Sequence, residues 1–599
     1  MLPRVPALGR TLAALFLAAP LLPATQEPFL NYTLRVDPTD LSSVHITLQV
    51  SNAPRTFHLA MATHFLTKSN NARKVEDLRI AEGSVERAED PLWEVTVPGA
   101  EATIRYRIRV APGTRRPDAA EPFLVSSGGL LGDLHMFLYV VESPRAPAHV
   151  ALQLPPGWKT ATSLAPTSDE GVFYARSAEE LSDSPILSGN LHEHRFQVQG
   201  APVLVAYWPA PDAKPFDEAA LAGSIEKIVR GATALFGGPP WREYVFQIRD
   251  GAEGALEHAD CVTVGVSSAE LAANAHAADG QIAHELFHAW NMMRIRSAEY
   301  GGIDYGPVML SGLWLSEGAT MFYSDLLRRR AGLPMEEATR IAHLEKLIPD
   351  YLTLQGYSLF SAEQISLAAF NPARPMWGIG NYIGFPQGQG ELLTAMLDLV
   401  IRDATSGQRS MDDLMRAMFA EHSGERGFTT RDVERVAAAV CGCNVTGFFD
   451  AYVRGASGID FNRYLQLAGL RMEVEWSKTV DGKALDDRGR IYAWMAPGEK
   501  VPRIQLINGD DAWGRASLQT GDQVVKINGS PVESADGLRK ALDAFHTGDT
   551  FQIEFLRNGS IRQAAVKIGP VERPVVRIRE LPDATARQRA VFHGWSKGE

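Results

Sequence analysis

His284, Glu285 and His288 stand in the order H-E-x-x-H within Gln281-Ile-Ala-His-Glu-Leu-Phe-His-Ala-Trp290. On a helix the i, i+4 spacing puts both imidazoles on one face, close enough to share one tetrahedral cation, and leaves the Glu285 carboxylate beside the ion's open position. That is the donor set of a zinc hydrolase. The same five residues also fit a buried helix with two hydrogen-bonded histidines and a surface glutamate, so a third ligand decides between the two. Downstream, Leu313-Trp-Leu-Ser-Glu-Gly-Ala-Thr-Met-Phe-Tyr-Ser-Asp325 opens a second helix, predicted to run to Arg330 and to close at Gly332-Leu-Pro334. Its Glu317 is a carboxylate on a neighbouring helix, which completes the three protein ligands of a catalytic zinc. One Zn²⁺ per chain is expected.

The elements around these helices change character along the chain. From Pro28 to about Trp208, apolar and polar residues alternate, as in Asn31-Tyr-Thr-Leu-Arg-Val36 and Val44-His-Ile-Thr-Leu-Gln-Val50. Many short strands without helices predict a β-sandwich. Single histidines there, such as His45, His58 and His64, read as structural. After Pro209-Ala-Pro-Asp212 a helix is predicted over 216–236, followed by a strand at Tyr244-Val-Phe-Gln-Ile248, then Gly254-Ala-Leu-Glu-His258 and Val262-Thr-Val-Gly-Val266. A short strand just before the metal helix is placed to form a cleft edge, where an extended peptide can add as a further strand. Beyond the second metal helix the chain is predicted helical at 335–354, 391–402, 410–422 and 429–440. Between the first two of these lies the glycine-rich stretch Trp377-Gly-Ile-Gly-Asn-Tyr-Ile-Gly-Phe-Pro-Gln-Gly-Gln-Gly390. It has no lysine and no preceding strand to make it a phosphate loop, and it reads as a loop shaping the cleft. From about Leu467 β-patterning returns as a compact C-terminal module: a buried strand ahead of Asn528-Gly529, a helix over 534–545, and a strand pair joined through Arg557-Asn-Gly559.

Composition narrows the class. At 599 residues the chain needs three or four domains. Fifty-nine basic against 71 acidic residues, a net charge of −12, argue against nucleic acid as a partner. Arg4 and Arg10 precede the apolar run Leu12–Leu22, with a cut expected after Ala24, so residues 1–24 read as an export signal and the protein as periplasmic or secreted. The run is short and broken by Pro20, which weighs against a membrane anchor. Only Cys261, Cys441 and Cys443 are present, which excludes a disulfide framework. Cys441-Gly-Cys443 reads as two small residues in a helix-to-helix turn, ahead of a local disulfide or a soft metal site.

Four stretches together resemble the glycyl aminopeptidase family, related to the thermolysin-like clan of zinc peptidases. They are His284-Glu-Leu-Phe-His-Ala-Trp-Asn291 with Arg294-Ile-Arg296, Leu313-Trp-Leu-Ser-Glu-Gly318, Gly254-Ala-Leu-Glu-His258, and Phe448-Phe-Asp-Ala-Tyr-Val-Arg-Gly455; the C-terminal module resembles a PDZ domain. The resemblance implies a multidomain α+β architecture: a β-sandwich at 25–208, a thermolysin-like, mainly helical catalytic domain at 209–460, a PDZ domain at 461–572 and a tail at 573–599. It implies His284, His288 and Glu317 as ligands and Glu285 as general base, taking a proton from the attacking water and delivering it to the leaving amine. Gly254, Ala255, Leu256 and Glu257 become the exopeptidase strand, with Glu257 holding the free α-amine of a peptide that begins with glycine or alanine. Ala255 replaces the family's second glycine there, which narrows the cleft.

A tyrosine that steadies the oxyanion in this family is missing. Gln387 stands in its place, and Tyr382, earlier in the same loop, is the alternative donor. Two other functions keep the motifs: an exported PDZ protein that captures protein C-termini and whose peptidase domain is weakened or inactive, and a PDZ-guided zinc endopeptidase for which Glu257 has no amine to bind. Oligomeric state is not legible at this level.

Overall fold

Alternation builds the N-terminal part. In Phe29–Asp37 and Asp40–Ser51 every second side chain is buried over most of each strand, and the two pair antiparallel from Leu30↔Val50 to Leu34↔Ile46. They lie within a seven-stranded sheet, flanked on one side by Ala148–Gln153 and on the other by Glu101–Arg109. A four-stranded sheet built on Thr56–Met61 and Leu92–Thr96 faces it, and Leu30, Leu34, Ile46, Leu48, Phe57 and Val95 share one core. This is the expected β-sandwich. The computed structural model describes residues 27–62, 71–89, 91–110, 117–303, 308–371, 377–480, 482–495 and 499–598. The export signal at 1–24 and His64 fall outside them.

The next sheet carries the site. Its order is His192–Val198, Ala201–Trp208, Tyr244–Asp250, Cys261–Val266, Ala255–Glu257, with Ala201–Trp208, Tyr244–Asp250 and Cys261–Val266 parallel and the two edge strands antiparallel. His192–Val198 and Ala201–Trp208, expected inside the sandwich, therefore belong to the catalytic sheet. The reason is the crossover: the helix Glu218–Phe236 returns the chain so that Tyr244–Asp250 runs parallel to Ala201–Trp208, and a parallel pair needs such a connection. Asp217 caps that helix by accepting from the Ala220 N–H at 2.9 Å.

Behind the sheet lie the helices Asp279–His288, Gly318–Arg330 and Pro386–Ala404, in a single apolar core with the sheet's inner face. Phe287 and Tyr323 stack with centroids 4.4 Å apart and join the first two helices. On the other side of the first helix, Trp290 stacks on Phe236 at 4.9 Å.

Two C-terminal expectations are corrected. Residues 573–598 do more than form a tail: Arg573–Glu580 pairs antiparallel with Leu470–Ser477 from Leu470↔Glu580 to Ser477↔Arg573, and the end of the chain packs back as the helix Ala586–Lys597, expected over 584–591, burying Val591 and Trp595 in the catalytic core. Periodicity locates these elements but carries no information on their long-range partners. The PDZ sheet is thus an insertion whose two ends leave from one strand pair. Cys441 and Cys443 are not merely small turn residues: they are joined by a disulfide across Gly442, which adopts φ 61 at the end of the helix Thr430–Cys441. Three consecutive residues at a left-handed helix end bring the two thiols together.

Candidate active site

The period of the metal helix puts His284 and His288 side by side, their Nε2 atoms 3.0 Å apart. Glu317 Oε2 reaches in from the second helix, 3.6 Å from His284 Nε2 and 3.9 Å from His288 Nε2. Ligands about 2.0–2.2 Å from a tetrahedral ion stand about 3.4 Å from one another, so these three donors fit a zinc-sized cation. The Glu285 carboxylate joins the two histidines in a group whose ligand atoms all lie within 4.8 Å of one another.

A residue that spacing alone does not single out sets this geometry. Asn291 accepts through its backbone carbonyl from His288 Nδ1 at 2.9 Å, leaving Nε2 free to ligate. Its side-chain amide donates to the carbonyls of Leu315 at 3.1 Å and Ser316 at 2.9 Å and to Thr320 Oγ1 at 3.1 Å. Asn291 therefore ties the first ligand helix to the turn that presents Glu317. Its signal in the sequence is its place just past the end of the metal helix.

Gly254 to Glu257 form the outer edge of the sheet. Gly254 has φ +74, and Ala255, Leu256 and Glu257 pair with Val264, Thr263 and Val262. Glu257 is 2% exposed, and its Oε1 has no hydrogen-bond partner among the described residues. Burial pushes its carboxyl well up, and the charges of Glu285 and Glu317 add to that. At Glu317 burial also pushes upward, but the hydrogen bond from His284, the charges of both imidazoles and a hydrogen bond from Gln387 outweigh it and hold the group below the usual carboxylate range. Burial, then the His284 charge, push His288 down to about 4, the neutral form a ligand needs. Three buried carboxylates thus face one cleft.

Beside Glu257, His258 Nδ1 lies 3.0 Å from Asp183 Oδ1, and the Ala259 N–H donates to Asp183 Oδ2 at 2.8 Å. These bonds pin the end of the edge strand to the N-terminal part. Nothing in sequence spacing links Asp183 to it.

Of the two candidate oxyanion donors, Gln387 lies at the metal end and Tyr382 does not. Tyr382 pairs in parallel with Leu506 of the PDZ sheet, its carbonyl accepts from Gln505 Nε2 at 3.0 Å, and its ring packs against the PDZ core. Its hydroxyl sits so close to Gly509 that a Cβ there would come within 2.9 Å of it. Tyr382 is corrected from a possible active-site donor to an interdomain contact, because strand pairing with the PDZ domain fixes which way it points. Gln387 is the second residue of the helix Pro386–Ala404, and that helix lies against Gly318: a Cβ on Gly318 would run into the Gly390 backbone.

Three family models match the chain in sequence order: the Peptidase M61 N-terminal domain over residues 31–190, M61 glycyl aminopeptidase over 279–379, and a PDZ domain over 484–568. In fold the chain is similar to the crystal structure of an aminopeptidase N family protein from Idiomarina loihiensis, with a TM-score of 0.74 and 18% identity over 95% of this chain and 100% of that one. An M1 zinc metallopeptidase from Deinococcus radiodurans overlaps less, with a TM-score of 0.46 and 17% identity over 72% of this chain and 94% of that one. No curated protein matches. With both M61 models in order and the second spanning His284, Glu285, His288 and Glu317, the chain is a zinc metallopeptidase whose N-terminal and catalytic segments match those of the M61 glycyl aminopeptidases.

Proposed function

We propose that this metallopeptidase is a zinc aminopeptidase that removes a small N-terminal residue, glycine or alanine, from peptides, and that it works outside the cytoplasm, in the periplasm or secreted. The observation that carries this reading is the buried carboxylate of Glu257 on the edge strand, near Glu285 and Glu317, whose Oε1 has no partner among the described residues. A divalent ion and one ammonium balance three carboxylates. The first is the metal; the second is the α-amine of a substrate whose chain cannot extend past Glu257.

His284, His288 and Glu317 would hold the zinc, which when bound supplies Lewis-acid chemistry and acidifies a water. Glu285 takes the proton of the attacking water and passes it to the leaving amine. Glu257 binds the α-ammonium and sets the distance from the N-terminus to the scissile carbonyl. The Gln387 amide, on the helix facing Glu317, steadies the developing oxyanion.

Hydrolysis of matched glycyl and alanyl peptides, each with a free and an acetylated N-terminus, tests this, with Glu285→Ala as the blank. Only the free peptides should be cut, and Glu257→Ala should raise KM for them far more than it alters blocked ones. Cleavage of acetylated peptides would replace the reading by an endopeptidase. The engagement of Gln387 with Glu317 favours one further alternative, a PDZ protein that binds protein C-termini and has a weakened peptidase; bound zinc with no turnover would select it.

A further inference from the structure

Beside Gln387 a cavity of 370 Å³ opens between three helices and the glycine-rich loop. Its walls are largely apolar, with Met321, one turn beyond Glu317, Leu347 and Leu354 from the next helix, and Trp377 and Phe385 from the loop; Asp350 is the one charged residue in the lining. Phe385 is fixed by a hydrogen bond from the Tyr357 hydroxyl to its carbonyl at 3.1 Å, and Trp377 lies 6.1 Å from it, ring centroid to centroid. Gln387, close enough to the ligand Glu317 to help lower its pKa, also lines the cavity, so it adjoins the metal site.

We propose that this cavity is the specificity pocket for the residue on the leaving-group side of the scissile bond, and that it takes a large apolar side chain, aromatic or branched aliphatic. The inference rests on the aminopeptidase reading and adds what the enzyme selects in the second residue. A glycine or alanine side chain cannot fill a hollow of this size, so the N-terminal residue is not its occupant. The amine end of the cleft is closed, with Glu257 at 2% exposure, and the remaining peptide must leave the other way. The cavity offers that way: Tyr351 and Leu354 also line a second cleft of 630 Å³, bordered by Gln355, Trp476, Arg490 and Asn508, between the catalytic helices and the PDZ insertion. Largely apolar walls with a few polar groups, Gln387 among them, are the composition of a side-chain pocket.

The test compares kcat/KM of the zinc-loaded full chain for Gly-Phe-amide, Gly-Leu-amide, Gly-Gly-amide and Phe-Gly-amide. Gly-Phe-amide and Gly-Leu-amide should exceed Gly-Gly-amide by about 10-fold or more, in the range that apolar side-chain pockets discriminate. Phe-Gly-amide should gain nothing. Leu347→Trp, which fills the hollow, and Phe385→Ala, which removes a wall, should each bring the Gly-Phe to Gly-Gly ratio down toward one, with a melting curve showing that each variant is folded. A ratio near one in the native chain, or a preference only for Phe-Gly-amide, overturns the assignment. Calorimetric binding of Gly-Phe-amide against Gly-Gly-amide to zinc-loaded Glu285→Gln separates the two readings. If no peptide is hydrolysed, the aminopeptidase reading fails, while a 10-fold binding preference that Leu347→Trp abolishes still establishes the pocket and equal binding refutes it.

Discussion

Gly318 and Gly390 place two helices in backbone contact next to the metal site. A Cβ on Gly318 would strike the carbonyl carbon and Cα of Gly390, and one on Gly390 would strike the carbonyl of Trp314. This approach lets Gln387, one turn earlier on its helix, reach Glu317, which directly precedes Gly318.

Gly318→Ala should therefore act on both stability and the site. Overpacking at a rigid crossing costs about 1–3 kcal/mol, and the helices can relieve it only by moving apart. A lower melting temperature together with weaker zinc retention is expected. An unchanged melting curve would mean that the crossing yields without strain.

Asn291→Ala removes the three hydrogen bonds that hold the turn before Glu317. Loss of a partner that orients ligands lowers metal affinity by about 10–100-fold. Competition with a chelator of known affinity measures this, and Asn291→Asp should do no better than alanine, because a carboxylate has no N–H to give the Leu315 and Ser316 carbonyls and the Thr320 hydroxyl already donates to Ser316.

Gln387 and Tyr382 should separate in kinetics. Gln387→Ala should lower kcat by about 10²–10³ if its amide is the oxyanion donor. Tyr382→Phe should leave kcat intact, since its hydroxyl meets Gly509 in the PDZ domain. Assay of both variants on one free-amine peptide decides it.

His343 gives a pH signature away from the ligands. Burial would push its imidazole down, but the hydrogen bond to Glu391 at 2.7 Å and the charges of Glu391, Asp325 and Glu337 hold it above the ordinary value of 6.5. A raised folded value means that the unfolded chain loses its proton first. The stabilisation is complete below pH 6.5 and fades as pH rises through the raised value. Denaturant melts from pH 6 to 9 should show that decline in the native chain and a flatter profile in His343→Gln.

Local periodicity makes part of this centre readable from the sequence. The 3.6-residue period sets His284 against His288, and the context of Leu313–Asp325 points to Glu317, since both are properties of single helices. Glu257 is within reach only through resemblance, because an edge strand of three residues has no periodicity of its own. Asn291, Asp183 and Tyr357 act across 24 or more residues and leave no mark on the local pattern. Tyr382 misleads for the same reason, since its direction is chosen by Leu506 in another domain. The strands are legible as alternation, but that Ala201–Trp208 joins Tyr244–Asp250 depends on a crossover helix, and that Arg573–Glu580 returns to Leu470–Ser477 depends on skipping a whole inserted domain.

That return has a bearing on biosynthesis. Trp595 fills the core on which the metal helices rest, accepts through its carbonyl from Arg340 Nη1 at 3.1 Å and stacks under the same guanidinium. A ribosome adding about 5–20 residues per second finishes the two metal helices well before it makes Arg573–Glu580 and Ala586–Lys597. The inserted domain is therefore free to fold before the domain that encloses it. The catalytic core closes last, so a nascent chain stalled within the insertion carries every zinc ligand without the floor beneath them.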